Sequence, residues 1–315
     1  MNENEITDKR SIKEFKGITF SKYKKTDAKK ELLNNLSTGK IEPACYWAAE
    51  FICAGHYADI WEIIILFCSK HIHLGNPKLP IYLDLRLDHF KHILNGGYQD
   101  NIIKMRNNSK IRKLFGEIIS VLCLSKKKHT FDNIKIGKDD FNITKITYKL
   151  KADSTQYAST IFKKEDPTEL FVGINEFYWN ILKEQKNGAL SCWWLEWILG
   201  FEDICKKENK KYSAARRSNM PVEGTFQKDV IWMIWECLLL EANNRSKGMH
   251  KIVTAMLSIF CLRYKPGVRK RRKYLIYFAI NLLTEPLDNS IPIIKNEKMV
   301  ENITSKINVI YKQIK

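Results

Sequence analysis

Apolar side chains recur every three or four residues over most of the chain, which is the spacing of one face of an α-helix. In the first half this pattern predicts helices over residues 29–36, 44–53, 58–68, 81–94 and 109–124. In the second half it predicts helices over residues 173–185, 189–207, 227–244, 249–264, 269–283 and 297–315. Gly55, the Pro266-Gly267 pair and Pro286 separate or end apolar stretches. We therefore expect an all-α protein.

The pattern changes between residues 131 and 167, where short alternating pieces such as 142–148 replace the helical spacing. This stretch is either a linker or a set of short strands, and we place a domain boundary there. The residues before 39 are polar and rich in lysine. We thus predict a flexible basic arm over 1–38, a helical domain over 39–130, an irregular or β linker over 131–168 and a basic helical bundle over 169–315.

Lysine and arginine outnumber aspartate and glutamate by 53 to 35, which gives a formal net charge of +18 and a pI near 9.4. Such an excess favours polyanionic partners, because each cation that neutralises a phosphate releases condensed counterions. AT-rich coding and a merely solvated surface produce the same composition. Charge alone therefore leaves both interpretations open.

The densest basic run lies at 263–273, where a Pro-Gly turn joins two predicted helices. It opens the second of them, and the unbonded N–H groups at a helix N-terminus also attract phosphate. Weaker clusters are Lys210-Lys211 with Arg216-Arg217, and the lysines at 126–128. A nuclear-localisation signal and a solvated surface are the alternatives. The predicted nucleic-acid-binding residues are Lys265, Arg269, Lys270, Arg271, Arg272, Lys273, Arg216, Arg217, Lys126, Lys127 and Lys128.

Common catalytic signatures are absent from the sequence. It contains no phosphate-binding loop of the form Gly-x-x-x-x-Gly-Lys-Ser/Thr, no Gly-x-Gly-x-x-Gly, no Gly-x-Ser-x-Gly and no His-Glu-x-x-His. The histidine groups at 71–73 and 89–92 have no matching set of cysteines or carboxylates. Asp84, Asp88, Asp139 and Asp140 could supply the paired carboxylates of a metal-dependent nuclease. Asp84 and Asp88 lie on a predicted helix, however, whereas a nuclease usually places its acids at strand ends. We predict no catalytic residues, no bound metal and no cofactor, with a metal-dependent nuclease as a minor alternative.

The tryptophans cluster at residues 179–197 and 232–235, at helical spacing among isoleucine and leucine. This arrangement favours packing in the core over platforms for stacked bases. The eight cysteines lie mostly in apolar helical runs without a Cys-x-x-Cys pair, which indicates buried, reduced thiols. We therefore expect neither a disulfide framework nor a zinc site.

The N-terminal residues show no signal-peptide pattern, and the longest apolar runs are shorter than the ~20 residues of a membrane span. We expect an intracellular protein, in the cytoplasm or nucleus of a host cell or in a virus factory, with no membrane partner.

Four short motifs of the first half are Ala44-Cys45-Tyr46-Trp47, Ala54-Gly55, Phe67-Cys68-Ser69 and Leu74-Gly75-Asn76-Pro77. Their order and spacing resemble the helical region that follows the ATPase module in clamp-loader-related AAA+ proteins of the replication-associated recombination type, the relatives of Werner-helicase-interacting protein. Residues 114–128, which end in a turn with serine and lysine, are similar to a later helix of that family. The likeness covers residues 42–129 and implies a collar-like domain that holds subunits together. The ATPase module is absent, so ATP hydrolysis is not implied.

The second half, including residues 228–232, also resembles proteins of nucleocytoplasmic large DNA viruses, which implies a viral protein but no activity. These patterns predict a non-catalytic accessory protein of DNA replication, recombination or repair that binds nucleic acid or a DNA-bound assembly. Its protein partner would be a component of the replication machinery or a second copy of the chain. The alternative is a structural or scaffold protein of a viral core or nucleoid, whose charge only keeps it soluble.

Overall fold

The computed structural model describes residues 5–98, 101–208 and 212–314. Over these ranges the chain forms α-helices joined by 3-10 turns and irregular segments, without a β-strand. The prediction of an all-α fold is confirmed. In chain order the α-helices are α1 (Lys25–Thr38), α2 (Ile41–Cys53), α3 (Tyr57–Phe67), α4 (Leu79–Asn95), α5 (Ile102–Arg106), α6 (Ser109–Leu124), α7 (Phe171–Ile181), α8 (Gly188–Lys207), α9 (Ile231–Arg245), α10 (Lys247–Phe260), α11 (Val268–Thr284), α12 (Glu297–Ser305) and α13 (Ile307–Tyr311).

The helices divide into two compact units. The first unit contains residues 1–129 and 289–315, and the second contains residues 130–288. The second unit thus includes the stretch that the sequence predicts to be a linker. The first unit includes the last two helices, which the sequence pattern groups with the second-half bundle.

Helix α6 is the centre of the first unit, because its apolar residues are buried on all sides. Helices α2, α4 and α12 pack against it. An aromatic cluster joins α3, α4 and α6, with the ring centroids of Trp61, Phe90 and Phe115 between 5.4 and 6.0 Å apart. Aromatic pairs at this separation add to the stability that burial provides.

The described part of the N-terminal segment is fixed to the first unit by a buried arginine. The Arg106 guanidinium donates hydrogen bonds of 2.5, 3.0 and 2.6 Å to the carbonyl oxygens of Asp8, Arg10 and Cys53. It also lies 4.9 Å from the ring centroid of Phe20, which is itself buried. The prediction of a flexible arm over 1–38 therefore does not hold for the described residues. The segment is polar in composition, but two of its aromatic residues, Phe15 and Phe20, are buried and hold it against the rest of the unit.

Helices α12 and α13 return to the first unit and pack against α6 and α2. Arg112 of α6 donates to the Asn308 side chain at 3.1 Å and lies 4.6 Å from the centroid of the Tyr311 ring. A Cβ atom at Gly116 would lie 2.8 Å from Cδ1 of Ile307, so the glycine permits this close approach. The predicted bundle over 169–315 therefore ends earlier, because an amphipathic pattern shows that a helix has a partner but not which one.

The second unit is built around α7, which packs against α8 and α9. Trp194, Trp197, Trp232 and Trp235 are fully buried, so the prediction that these tryptophans form the core is confirmed. A Cβ atom at Gly173 of α7 would lie 2.9 Å from the Trp197 ring, and the glycine therefore lets the two helices approach.

Residues 130–170 contain 3-10 turns and irregular backbone, so the β alternative for this stretch is not observed. Side chains of α7 hold the stretch in place. Glu176 accepts the N–H groups of Lys151 and Ala152 at 2.9 and 3.0 Å, and Asn175 accepts that of Ala158 at 3.1 Å. These bonds make the stretch a part of the second unit.

We expect Ile307→Ala to destabilise the first unit by about 2–4 kcal/mol, because truncation leaves a cavity against Gly116 of α6. Val309→Ala, on the same helix, is the matched control, since Val309 is 59% exposed and its truncation should cost less than about 0.5 kcal/mol. Hydrogen exchange of peptides from α6 follows this unit separately from the other. Equal exchange rates in the two variants would contradict the place of α13 in the first unit.

Candidate nucleic-acid interface

The basic segment 263–273 spans the turn after α10 and the first turns of α11. Arg269 is buried there and contacts two carboxylates: it bonds to Glu202, and it donates to Asp229 at 2.7 Å. The Tyr264 hydroxyl donates to the second oxygen of Asp229, also at 2.7 Å. Burial alone would lower the pKa of Arg269, but the carboxylates of Asp229 and Glu202 raise it above its ordinary value. Arg269 is therefore a charged internal link between elements of the second unit.

Arg272 and Lys273 also serve the interior of the second unit. The buried Arg272 guanidinium donates at 2.6 and 2.7 Å to the carbonyl oxygens of Phe260 and Leu262, where α10 ends and its carbonyls lack helical partners. Lys273 lies 2.8 Å from the Glu196 carboxylate, which also accepts the Tyr277 hydroxyl at 2.6 Å.

Lys265, Lys270 and Arg271 are the predicted phosphate contacts of this segment that lie exposed. Lys270 is paired with Asp203 at 2.9 Å, but its side chain is 71% exposed, and such surface pairs contribute little. The prediction of five consecutive phosphate-binding cations is therefore corrected. Arg269 and Arg272 are buried and Lys273 is paired, so the segment presents fewer cations than its sequence indicates.

Arg217 is fully buried, which corrects its prediction as a phosphate contact. Its guanidinium forms a two-point contact with Asp166, one bond of which measures 2.7 Å, and its Nε lies 3.0 Å from Glu236. The neighbouring Arg216 is exposed and donates to the Gln227 side chain at 2.7 Å. Lys210 and Lys211 lie outside the described residues.

The third predicted cluster, at 126–128, has different surroundings. Lys126 and Lys127 line a cleft of about 570 Å³ in the first unit, together with Lys295 from the segment before α12. We call this the lysine cleft; its lining residues are Gly39, Gly75, Asn76, Cys123, Leu124, Ser125, Lys126, Lys127, Ile291, Pro292 and Lys295. Sequence reasoning missed Lys295, because no basic cluster surrounds it and it is far from Lys126 along the chain.

Two backbone contacts fix residues 126–128, the turn after α6 that we call the lysine turn. A Cβ atom at Gly75 would lie 2.1 Å from the carbonyl oxygen of Lys126, so only glycine allows this approach. The N–H of Lys128 donates to the carbonyl oxygen of His71 at 2.8 Å. The segment that supplies these partners is irregular: a π-helical turn at Cys68–Ile72 is followed by His73 with φ of +31°. Such irregular backbone is concentrated at functional sites.

The lysine cleft is strongly positive. None of Lys126, Lys127 and Lys295 forms an ion pair with a carboxylate in the described part of the chain. Burial, above all, lowers the pKa of Lys127; the neighbouring Cys123 raises it, and the charge of Lys295 lowers it. The Lys127 ammonium contacts the carbonyl oxygen of Cys123 near the end of α6, and its remaining hydrogens have no partner among the described residues. An anion in the cleft would relieve the repulsion between the two lysines.

Buried Asn76 gives the cleft a polar wall. Its Nδ2 group donates to the carbonyl oxygen of Ile293 at 2.9 Å and lies 3.4 Å from Oγ of Ser125. Its carbonyl oxygen accepts no hydrogen bond from the described residues. Ile291, Pro292 and Leu124 provide apolar surface beside it. The cleft thus combines cations with an apolar face.

The residues that the sequence offers for a nuclease or a metal site lie outside the lysine cleft. Asp88 is paired with Lys91 at 2.9 Å, and Asp139 with Lys145 at 2.8 Å. Among the residues that the structure describes, no group of three or more histidine, cysteine or acidic side chains is placed to hold a metal ion. All eight cysteines are buried and none forms a disulfide, as the sequence predicts, and burial raises the pKa of Cys53 and Cys123 to about 12.

Comparison of the chain with protein families, curated proteins and solved structures found no significant match. Within the described ranges, each helix is too short or too polar to cross a lipid bilayer.

We expect Arg217→Met to cost about 3–5 kcal/mol of stability, because it leaves the buried Asp166 carboxylate without its partner. Arg216→Met is the matched control, since the exposed Arg216 loses only one hydrogen bond. Urea unfolding followed by tryptophan fluorescence reports mainly on the second unit, which holds six of the eight tryptophans. Equal stability of the two variants, with weaker nucleic-acid binding by Arg217→Met, would restore Arg217 as a phosphate contact.

We expect the lysine turn to loosen at mildly acidic pH. Burial, above all, lowers the pKa of His73, with smaller lowering from the charges of His129 and Lys128, while its 2.8 Å hydrogen bond to the carbonyl oxygen of His129 raises it. The unfolded histidine titrates near pH 6.5, so below that pH the unfolded state binds more protons and stability falls.

Exchange of the Lys128 amide, corrected for its intrinsic pH dependence, should accelerate between about pH 7 and 5.5. His73→Asn should flatten this response. His89→Asn, at an exposed position of α4, should preserve it. A flat wild-type profile would show that His73 does not govern the turn.

Proposed function

We propose that the protein binds nucleic acid without catalysing a reaction on it, and that phosphate groups enter the lysine cleft of the first unit. The observation that carries this proposal is the meeting of Lys126, Lys127 and Lys295 in one cleft without an ion-paired carboxylate among the described residues. Cations that are not neutralised internally can exchange their counterions for phosphates, which is the main source of affinity for nucleic acid.

The distribution of charge supports the first unit as the binding unit. It contains 27 lysines and arginines against 16 acids, whereas the second unit contains 26 against 19. In addition, Arg217, Arg269 and Arg272 of the second unit are buried and bond to groups inside it. Lys265, Lys270 and Arg271 remain candidates for weaker contacts, because they are exposed.

The likeness of residues 42–129 to the collar region of clamp-loader-related proteins supports a role beside a DNA-bound assembly. We therefore propose an accessory protein of replication, recombination or repair, acting in the cytoplasm, the nucleus or a virus factory. A scaffold of a viral core or nucleoid is the second candidate. The buried arginines of the second unit, Arg217, Arg269 and Arg272, favour the scaffold, since their internal partners reduce the positive charge that is available to bind nucleic acid.

The test compares the full chain with the variant Lys126→Gln/Lys127→Gln/Lys295→Gln. Binding to single- and double-stranded DNA and RNA is measured over a range of salt concentrations, with heparin as a non-nucleic polyanion. We expect affinity to fall at least tenfold at about 100 mM salt, and the slope of log K against log salt to become shallower by about 2–3.

The matched control, Lys22→Gln/Lys29→Gln/Lys30→Gln, removes three charges from exposed positions of the same unit outside the cleft. It should retain most of the affinity and of the salt slope. Equal losses in the two variants would mean that general charge, and not the cleft, drives binding. Absence of binding to every nucleic acid would overturn the proposal and favour the scaffold.

A further inference from the structure

The size of the lysine cleft limits what it holds. Its volume of about 570 Å³ lies within the range of small-ligand sites, about 300–1,000 Å³. A nucleic-acid duplex, whose major groove alone is about 12 Å wide, is too large to enter. A single nucleotide unit fits within this volume.

The charge of the cleft suits a particular kind of phosphate. A phosphodiester in a strand carries one negative charge, whereas a phosphomonoester carries about −1.5 to −2 at neutral pH. Lys126, Lys127 and Lys295 line the same small space, and the repulsion between Lys127 and Lys295 is relieved more fully by a dianion. A terminal phosphate therefore gains more from this cleft than an internal one.

The apolar part of the cleft wall indicates that the ligand is more than a phosphate ion. Leu124, Ile291 and Pro292 line the cleft beside the three lysines. A nucleotide carries a flat, partly apolar base that can cover this surface while its phosphate lies at the lysines.

We propose that the lysine cleft binds the phosphomonoester of a nucleotide, with the phosphate at the three lysines and the base against Ile291 and Pro292. Two sources supply this chemistry, a phosphorylated strand end and a free mononucleotide. The inference rests on the proposed function for the strand end, which would make the protein a reader of nucleic-acid termini.

The experiment uses the full chain and one labelled single-stranded DNA in three forms: with a 5′-phosphate, with a 3′-phosphate and with hydroxyl groups at both ends. At least one phosphorylated form should bind about tenfold more tightly than the unphosphorylated strand. Competition by the matching mononucleotide, with inorganic phosphate as a further competitor, separates the two sources. Strong competition by the mononucleotide alone identifies a free nucleotide as the ligand, and equally strong competition by inorganic phosphate at the same concentration would overturn the role of the base.

Equal affinity for the three strands, with no competition by a mononucleotide, would overturn this inference and leave the proposed function intact. Absence of binding to all the strands would overturn the proposed function, and mononucleotide binding alone would then still support the cleft as a nucleotide site. The two failures are therefore distinguishable.

Two variants test whether a lysine that lines the cleft, and not a neighbouring lysine, recognises the phosphorylated end. Lys127→Gln should abolish the preference for the phosphorylated end, because it removes a cation that lines the cleft. Lys128→Gln removes the same charge from the adjacent exposed residue, which does not line the cleft, and should keep the ratio between the strands. Loss of the ratio in both variants, or in neither, would contradict the assignment.

A measurement on the wild-type chain removes any dependence on how the variants fold. Acetylation of lysine side chains is followed residue by residue, with and without the matching mononucleotide. We expect protection of Lys126, Lys127 and Lys295, while the exposed Lys29 and Lys30 remain reactive. Unchanged reactivity of Lys127 at a saturating nucleotide concentration would overturn the inference.

Discussion

Guanidinium groups buried inside the protein are the constraint on which both units depend. Five of the eleven arginines, namely Arg106, Arg112, Arg217, Arg269 and Arg272, are buried. An arginine keeps its charge in the interior and offers five donors in a fixed plane, so it stabilises the fold only where acceptors surround it. Main-chain carbonyls surround Arg106 and Arg272, whereas carboxylates surround Arg217 and Arg269. Arg106, Arg217 and Arg269 join segments that lie far apart in the chain, whereas Arg272 bonds to the end of the preceding helix.

Because these arginines are used inside the protein, a count of basic residues overstates the positive surface that is available for binding. The chain has 42 lysines and 11 arginines, and a count of charges does not distinguish between them. Lysine has a flexible stem and a strongly hydrated ammonium group, and it remains at the surface more readily than arginine. The run at 263–273 contains four arginines, two of which are directed inward. The lysine-only cluster at 126–128 stays at the surface, with two of its members exposed and Lys127 half-buried.

The lysine cleft depends on close backbone packing rather than on the lysines themselves. Gly75 allows the segment after the π-helical turn to reach the carbonyl oxygen of Lys126, and Asn76 then bonds to the carbonyl oxygen of Ile293. The second bond joins the C-terminal segment to the first unit, which places Lys295 beside Lys127. A cleft of this kind depends on contacts between segments that lie far apart in the chain.

The sequence by itself determined the helical class, the burial of the cysteines and the tryptophan core, because these follow from the local spacing of apolar residues. It also identified Lys126 and Lys127, which are neighbours in the chain. Tertiary structure alone decided that α12 and α13 belong to the first unit, that Lys295 joins the cleft, and that Arg217, Arg269 and Arg272 lie inside. The physical reason is that a buried cation is selected by acceptors such as Asp166 and Glu202, which are more than 45 residues away in sequence. Local patterns contain no information on such partners until the helices have packed.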